Sequence, residues 1–116
     1  MNLPKRALTN IDLKKYGRHI PHFRGVFMID TLPKQSYQTE CGIVNLDKSS
    51  GPGTHWVAYW KKNNRVEYFD SFGDLQPPQE LIKYLGEKIR YNKSRFQKFN
   101  SYNCGHLCLK YLYSKI

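Results

Sequence analysis

The stretch HWVAYWKKNNRVEYFDSF, residues 55–72, constrains the fold more tightly than any other part of the chain. Two runs rich in aromatic and β-branched residues flank Asn63 and Asn64, whose side chains tolerate the positive φ that a two-residue hairpin turn demands. With those two residues as the turn, Lys62 faces Arg65 and the register of the hairpin follows, placing His55 opposite Phe72. Asp70 stands two residues before Phe72 on the same strand face, so an imidazole and a carboxylate become diagonal neighbours within reach of a hydrogen bond. Taken singly, His55 reads as a surface histidine at a strand start after GPGT, and Asp70 as the residue that opens a turn before SFGD. Taken together, the carboxylate fixes the tautomer of the imidazole and favours the imidazolium.

A thiol sits where such a pair would have work to do. In FQKFNSYNCGHLC, Cys104 stands just before a glycine and an apolar run that reads as a closing helix, CGHLCLKYLYSKI, with Leu107, Cys108, Tyr111 and Leu112 on one side. A helix N-terminus carries unsatisfied N–H groups and about half a positive charge, and both favour thiolate over thiol. A nucleophilic cysteine needs a base, an acid that orients the base, and donors for the oxyanion. His55 and Asp70 fill the first two roles, and Gln97, upstream of Cys104, is a candidate for the third. His19, His22 and His106 have no comparable partner in the sequence; His106 is two residues past Cys104 on one helix, where side chains do not face each other.

The remaining segments set the expected architecture. LTNIDLKKYG has Thr9 and Asn10 as caps and Gly17 as a stop, the pattern of a short helix. FRGVFMID and CGIVNLD read as strands, PPQELIKYLGEKI as a helix, and RFQKF as a short strand. The expectation is an α+β fold over residues 1–116 as a single domain, with a small antiparallel sheet packed against a central helix that carries Cys104. A composition of 40% hydrophobic and 15% aromatic residues excludes a disordered tail.

Lys and Arg number 19 against nine Asp and Glu, a formal charge of +10, which predicts attraction to nucleic acid or another polyanion and is equally consistent with a solvated basic surface. Three cysteines, an odd count, and an opening MNLPKRALTN without an apolar core point to a reducing compartment, cytosol or nucleus. No apolar run is long enough to span a membrane. Cys41 and Cys108 read as packing residues. A metal site assembled from Cys41, Cys104, His106 and Cys108 lacks the tight paired spacing of zinc knuckles.

The order His55, Asp70, Gln97, Cys104, with HW at the base, FDSFG at the acid and CG at the nucleophile, resembles the adenovirus-type cysteine proteases, the adenain family. In look it is closest to the adenain-like proteases of Maverick/Polinton elements and adintoviruses, through FRGVFMIDTLP, GIVNLD, GTHWVAYW, YFDSFG and CGHLCL. The resemblance implies a papain-like thiol endopeptidase that matures capsid and other virion precursors at Gly-containing sites, in the host nucleus or cytoplasm and in the virion. By the same resemblance His55 is the general base, Asp70 orients it, Gln97 and the Cys104 backbone amide form the oxyanion hole, and Trp56 walls the substrate groove; an ordinary core aromatic is the alternative for Trp56. No cofactor or metal is implied for the chemistry, and a monomer is implied for the enzyme. DNA is implied as an activator, which the +10 charge suits through counterion release. Adenain has Glu where this chain has Asp70, although related proteases of ubiquitin-like proteins use Asp. The family's activating peptide joins a cysteine upstream of the Gln, and none lies between Cys41 and Cys104, so activation by a disulfide-linked peptide is not carried over. Two other readings compete: a deconjugase for ubiquitin-like Gly-Gly tails, and a non-catalytic nucleic-acid-binding domain on the same fold.

Overall fold

The structure, a computed structural model, describes residues 2–73, 75–92, 95 and 102–116. In chain order the elements are α1 (Asn10–Gly17), β1 (Phe23–Met28), β2 (Thr39–Asn45), β3 (Trp56–Lys62), β4 (Arg65–Phe69), α2 (Gln79–Leu85), β5 (Ile89–Tyr91) and α3 (Cys104–Tyr113). Thr9 caps α1 through a reciprocal box with Asp12, each satisfying an N–H of the other's end of the turn.

The strands form one five-stranded sheet in the order β1-β2-β3-β4-β5. The β3–β4 hairpin has the register that the Asn63-Asn64 turn dictates: Lys62 pairs with Arg65, Trp60 with Glu67 and Ala58 with Phe69. Asn63 takes the left-handed conformation, φ 55°, and Asn64 does not, so one positive φ suffices to close the turn.

The expectation of an antiparallel sheet is corrected at both edges. β1 runs parallel to β2, and β4 runs parallel to β5, which makes the sheet mixed. The physical reason is the connections. A parallel partner needs a crossover in place of a tight turn; residues 29–38 supply one, and the segment containing α2 supplies the other. A second correction concerns GEKI: α2 stops at Leu85, Gly86 follows at φ 106°, and Ile89 opens β5 rather than ending a helix. The short strand expected at RFQKF falls, apart from Arg95, outside the described residues; Arg95 itself is not in a strand.

Both faces of the sheet are covered, so side chains alternate between two cores rather than between core and water. Trp56, Ala58, Cys41, Ile43 and Phe69 pack with Cys104, Cys108, Leu109 and Leu112 of α3 and Leu13 of α1. Val57, Tyr59, Val44, Val66 and Tyr68 pack on the other face with Leu81 and Leu85 of α2. The central position of α3 thus follows from its apolar face, which sets the start of that helix beside the start of β3. Cys41 and Cys108, at 2% and 0% exposure, are core residues, as the sequence reading held. Replacing Cys108 by Ala removes one buried sulfur from this core. It is expected to cost about 1 kcal/mol in urea unfolding while leaving the reactivity of Cys104 unchanged.

Among the described residues no helix is long and apolar enough to cross a membrane.

Candidate active site

His55 sits immediately before β3, its carbonyl accepting the Leu46 N–H at 3.0 Å. Its Nε2 lies 2.8 Å from Asp70 Oδ1, the contact that the hairpin register predicts, and the two residues are 9% and 1% exposed. The Phe72 ring stacks flat on the imidazole, centroids 4.3 Å apart and planes 7° from parallel. The register therefore holds beyond the last backbone pair.

Asp70 also opens a turn, as its place before SFGD suggests. Its Oδ1 accepts the Phe72 N–H at 3.0 Å, and its carbonyl accepts the Gly73 N–H at 2.9 Å. Gly73 lies at φ 78°, where a side chain would be strained. From the other side, Asn92 grips the Asp70 backbone: Asn92 Oδ1 accepts the Asp70 N–H at 2.9 Å, and Asn92 Nδ2 donates to the Asp70 carbonyl at 2.6 Å.

Cys104 is the first residue of α3 and is 8% exposed. With Nε2 turned to Asp70, Nδ1 is the nitrogen left to serve the thiol, and His55 and Cys104 are within hydrogen-bonding reach. Burial works against the thiolate. It is outweighed by the hydrogen bond from His55, the backbone N–H groups of Trp56 and Gly105 and the imidazolium charge, so the thiol ionises more readily than an ordinary cysteine. Burial likewise disfavours the imidazolium, and again loses: hydrogen bonds to Asp70 and Cys104 raise His55 to about 9. Each group thus favours the charged form of the other, the arrangement of a thiolate–imidazolium pair. Cys108, on the same helix, is pushed the opposite way by complete burial.

Trp56, next to His55, is 8% exposed, and its Nε1 donates to the Leu8 carbonyl at 3.2 Å. His106 Nε2 lies 2.6 Å from the Pro4 carbonyl, which can only accept, so that nitrogen carries the hydrogen. A Cβ on Gly105 would stand 3.2 Å from that of Leu8. The N-terminal residues therefore lie against the first turn of α3 and the start of β3, a placement for which MNLPKRAL gives no signal beyond two leucines. The Asn92 grip was also missed, since nothing in the sequence ties that residue to Asp70. Gln97 lies outside the described residues. Among the described residues no three of His, Cys, Asp and Glu are grouped to hold a metal ion.

No protein-family model matches the sequence, and no curated protein matches it. Solved structures share its fold. A structure of the SUMO protease Ulp1, with the catalytic cysteine oxidized to a sulfinic acid, superposes with a TM-score of 0.59 at 18% identity, covering 96% of this chain and 67% of that one. The ASFV pS273R protease superposes with a TM-score of 0.58 at 17% identity, covering 97% of this chain and 58% of that one. The chain thus has the α+β fold of these proteases and spans little more than half the length of the second.

Proposed function

We propose that this chain is a thiol endopeptidase in which Cys104 is the nucleophile, His55 the general base and acid, and Asp70 the residue that orients His55. The observation that carries the reading is the convergence on one point of a helix-start thiol with favoured ionisation and an imidazole held by a buried carboxylate. The Cys104 thiolate attacks the scissile carbonyl, and the resulting oxyanion is met by the Cys104 backbone N–H and the Gln97 side chain. His55 then gives its proton to the leaving amine, a thioester forms, and water activated by the neutral imidazole hydrolyses it. Trp56 walls the substrate groove beside the scissile bond and favours glycine there. The substrates are virion precursors with Gly-containing sites, the setting is a reducing host compartment or the virion, and DNA binding to the basic surface is the activating event.

The test is the rate of Cys104 alkylation by a neutral reagent against pH, on wild type and on His55→Ala, with and without DNA. An ordinary thiol loses reactivity below about pH 8.5. Because Cys104 ionises more readily than an ordinary cysteine, its rate should stay high at pH values where an ordinary thiol has already lost reactivity, and fall only when the thiolate is protonated. In His55→Ala the unfavourable burial remains and the largest favourable contact is gone, so the profile should move up toward that of an ordinary thiol, with a loss near neutrality of up to about tenfold for each unit moved. Acceleration by DNA supports the activator; a flat response removes it. An ordinary profile insensitive to His55 overturns the protease reading.

The likeness to a SUMO protease favours one alternative, a deconjugase for ubiquitin-like tails. Hydrolysis of a ubiquitin-like C-terminal amide, compared with a short Gly-containing peptide, separates the two. A large preference for the folded substrate would put deconjugation first.

A further inference from the structure

β5 pairs with β4 as far as Tyr91 opposite Tyr68, and there the backbone ladder ends. The next link to β4's continuation is made by a side chain. Asn92 presents its carboxamide to Asp70 as a strand would present a peptide group, accepting from the N–H at 2.9 Å and donating to the carbonyl at 2.6 Å. Two opposed hydrogen bonds to one residue fix both the position and the tilt of its backbone.

Asp70 reaches His55 by two routes. Its carboxylate holds Nε2 at 2.8 Å. Its turn carries Phe72, whose N–H holds the same oxygen and whose ring lies flat on the imidazole. A shift of the Asp70 backbone therefore moves the edge contact and the face contact of the base together. The chain after β5 grips this turn a second time, since Arg95 Nε donates to the Phe72 carbonyl at 3.3 Å.

We infer that Asn92 is a positioning residue of the active site: it sets the turn at residues 70–73 and, through Asp70 and Phe72, the orientation of His55 toward Cys104. The inference rests on the proposed roles of Cys104, His55 and Asp70. A residue that served only sheet stability would pair with any part of β4. Asn92 spends both halves of its amide on the acid of the triad.

The experiment compares the full chain with Asn92→Ala, the milder Asn92→Ser and Tyr111→Phe. The last removes a hydrogen bond of 2.6 Å to Glu67 on β4 while keeping the ring that stacks on Phe69, and serves as the control for ordinary loss of support to that strand. Each is read by the pH profile of Cys104 alkylation, by kcat and KM on a Gly-containing peptide, and by thermal melting. Asn92→Ala should lower kcat about tenfold to a hundredfold with KM little changed, and shift the alkylation profile toward that of an ordinary thiol. Asn92→Ser, which keeps a polar group but is one atom too short to reproduce both bonds, should fall between it and wild type. Tyr111→Phe should lower the melting temperature and leave the profile where it was. An Asn92→Ala or Asn92→Ser profile that overlays wild type overturns the inference, as does a Tyr111→Phe shift of equal size. A wild-type thiol that is itself ordinary, and indifferent to His55→Ala, overturns the nucleophile assignment and takes the inference with it, so the two failures are told apart.

Discussion

Alanine at His55 is expected to lower kcat on a Gly-containing peptide by a factor on the order of 10⁴ to 10⁶, nearly as much as alanine at Cys104, because members of a catalytic unit are lost together rather than in shares. On the proposed roles, Cys104 without His55 has lost both its proton acceptor and the contact that most favours its thiolate. The base without its nucleophile has nothing to activate. The double variant should therefore be no worse than either single one. Both proteins should keep the wild-type far-UV circular dichroism, since most of the packing between α3 and the sheet, made by Leu109, Leu112, Ile43 and Ala58, is untouched and Cys104 adds only its sulfur to it. His55→Ala leaves the Asp70 carboxylate buried without the imidazole, although Oδ1 still accepts the Phe72 N–H, so a lower melting temperature is expected there and not in Cys104→Ala. Turnover of His55→Ala within tenfold of wild type would remove this histidine from the mechanism.

The part of the site that was legible in the sequence is the part set by local geometry. A two-residue turn and a period of two place His55, Asp70 and Phe72 on one face with no tertiary information, and the 2.8 Å contact is the result. The helix start at Cys104 is equally local. What brings the two halves together is not local. Cys104 reaches His55 because Cys108, Leu109 and Leu112 seat α3 on the face formed by Trp56, Ala58 and Ile43, and that docking was legible only through family resemblance. The parallel edges escaped for a related reason. A strand's own residues say little about the direction of its neighbour, which the crossover decides. β5 escaped because three residues, Ile89, Arg90 and Tyr91, are too few to show an alternation. Asn92 and the N-terminal residues escaped because their bonds join backbone groups to side chains far away in the chain, and backbone groups carry no sequence signature.

The largest stability effect is expected at Glu40, a residue whose place in the sequence gives no hint of burial. Glu40 lies on β2, 1% exposed, on the face away from Cys104. Its Oε1 accepts from Arg24 Nη1 at 3.0 Å and from the Tyr37 N–H at 2.6 Å; its Oε2 accepts from the hydroxyls of Tyr59 at 2.5 Å and Tyr84 at 2.7 Å. Four donors from β1, the crossover, β3 and α2 thus meet on one carboxylate. Arg24 is held further by the Gln35 carbonyl at 2.7 Å and lies over the Tyr37 ring at 3.7 Å. The burial of this charge is tolerable only because every lone pair is used, and deleting one member strands the others: the Tyr59 hydroxyl at 0% exposure and the Arg24 guanidinium without its anion. Glu40→Ala should cost about 3 to 5 kcal/mol, a large fraction of the roughly 5 to 15 kcal/mol that holds a domain of this size. Urea unfolding should show a lower midpoint at unchanged slope. Glu40→Gln, which keeps the shape and loses the charge, should cost less. In the folded fraction of either variant the alkylation profile of Cys104 should match wild type, because the network faces α2 and the thiol faces α3. A loss below about 1 kcal/mol in Glu40→Ala would mean that the cavity hydrates and water takes over the four donors, and the carboxylate would then be a replaceable part of the fold.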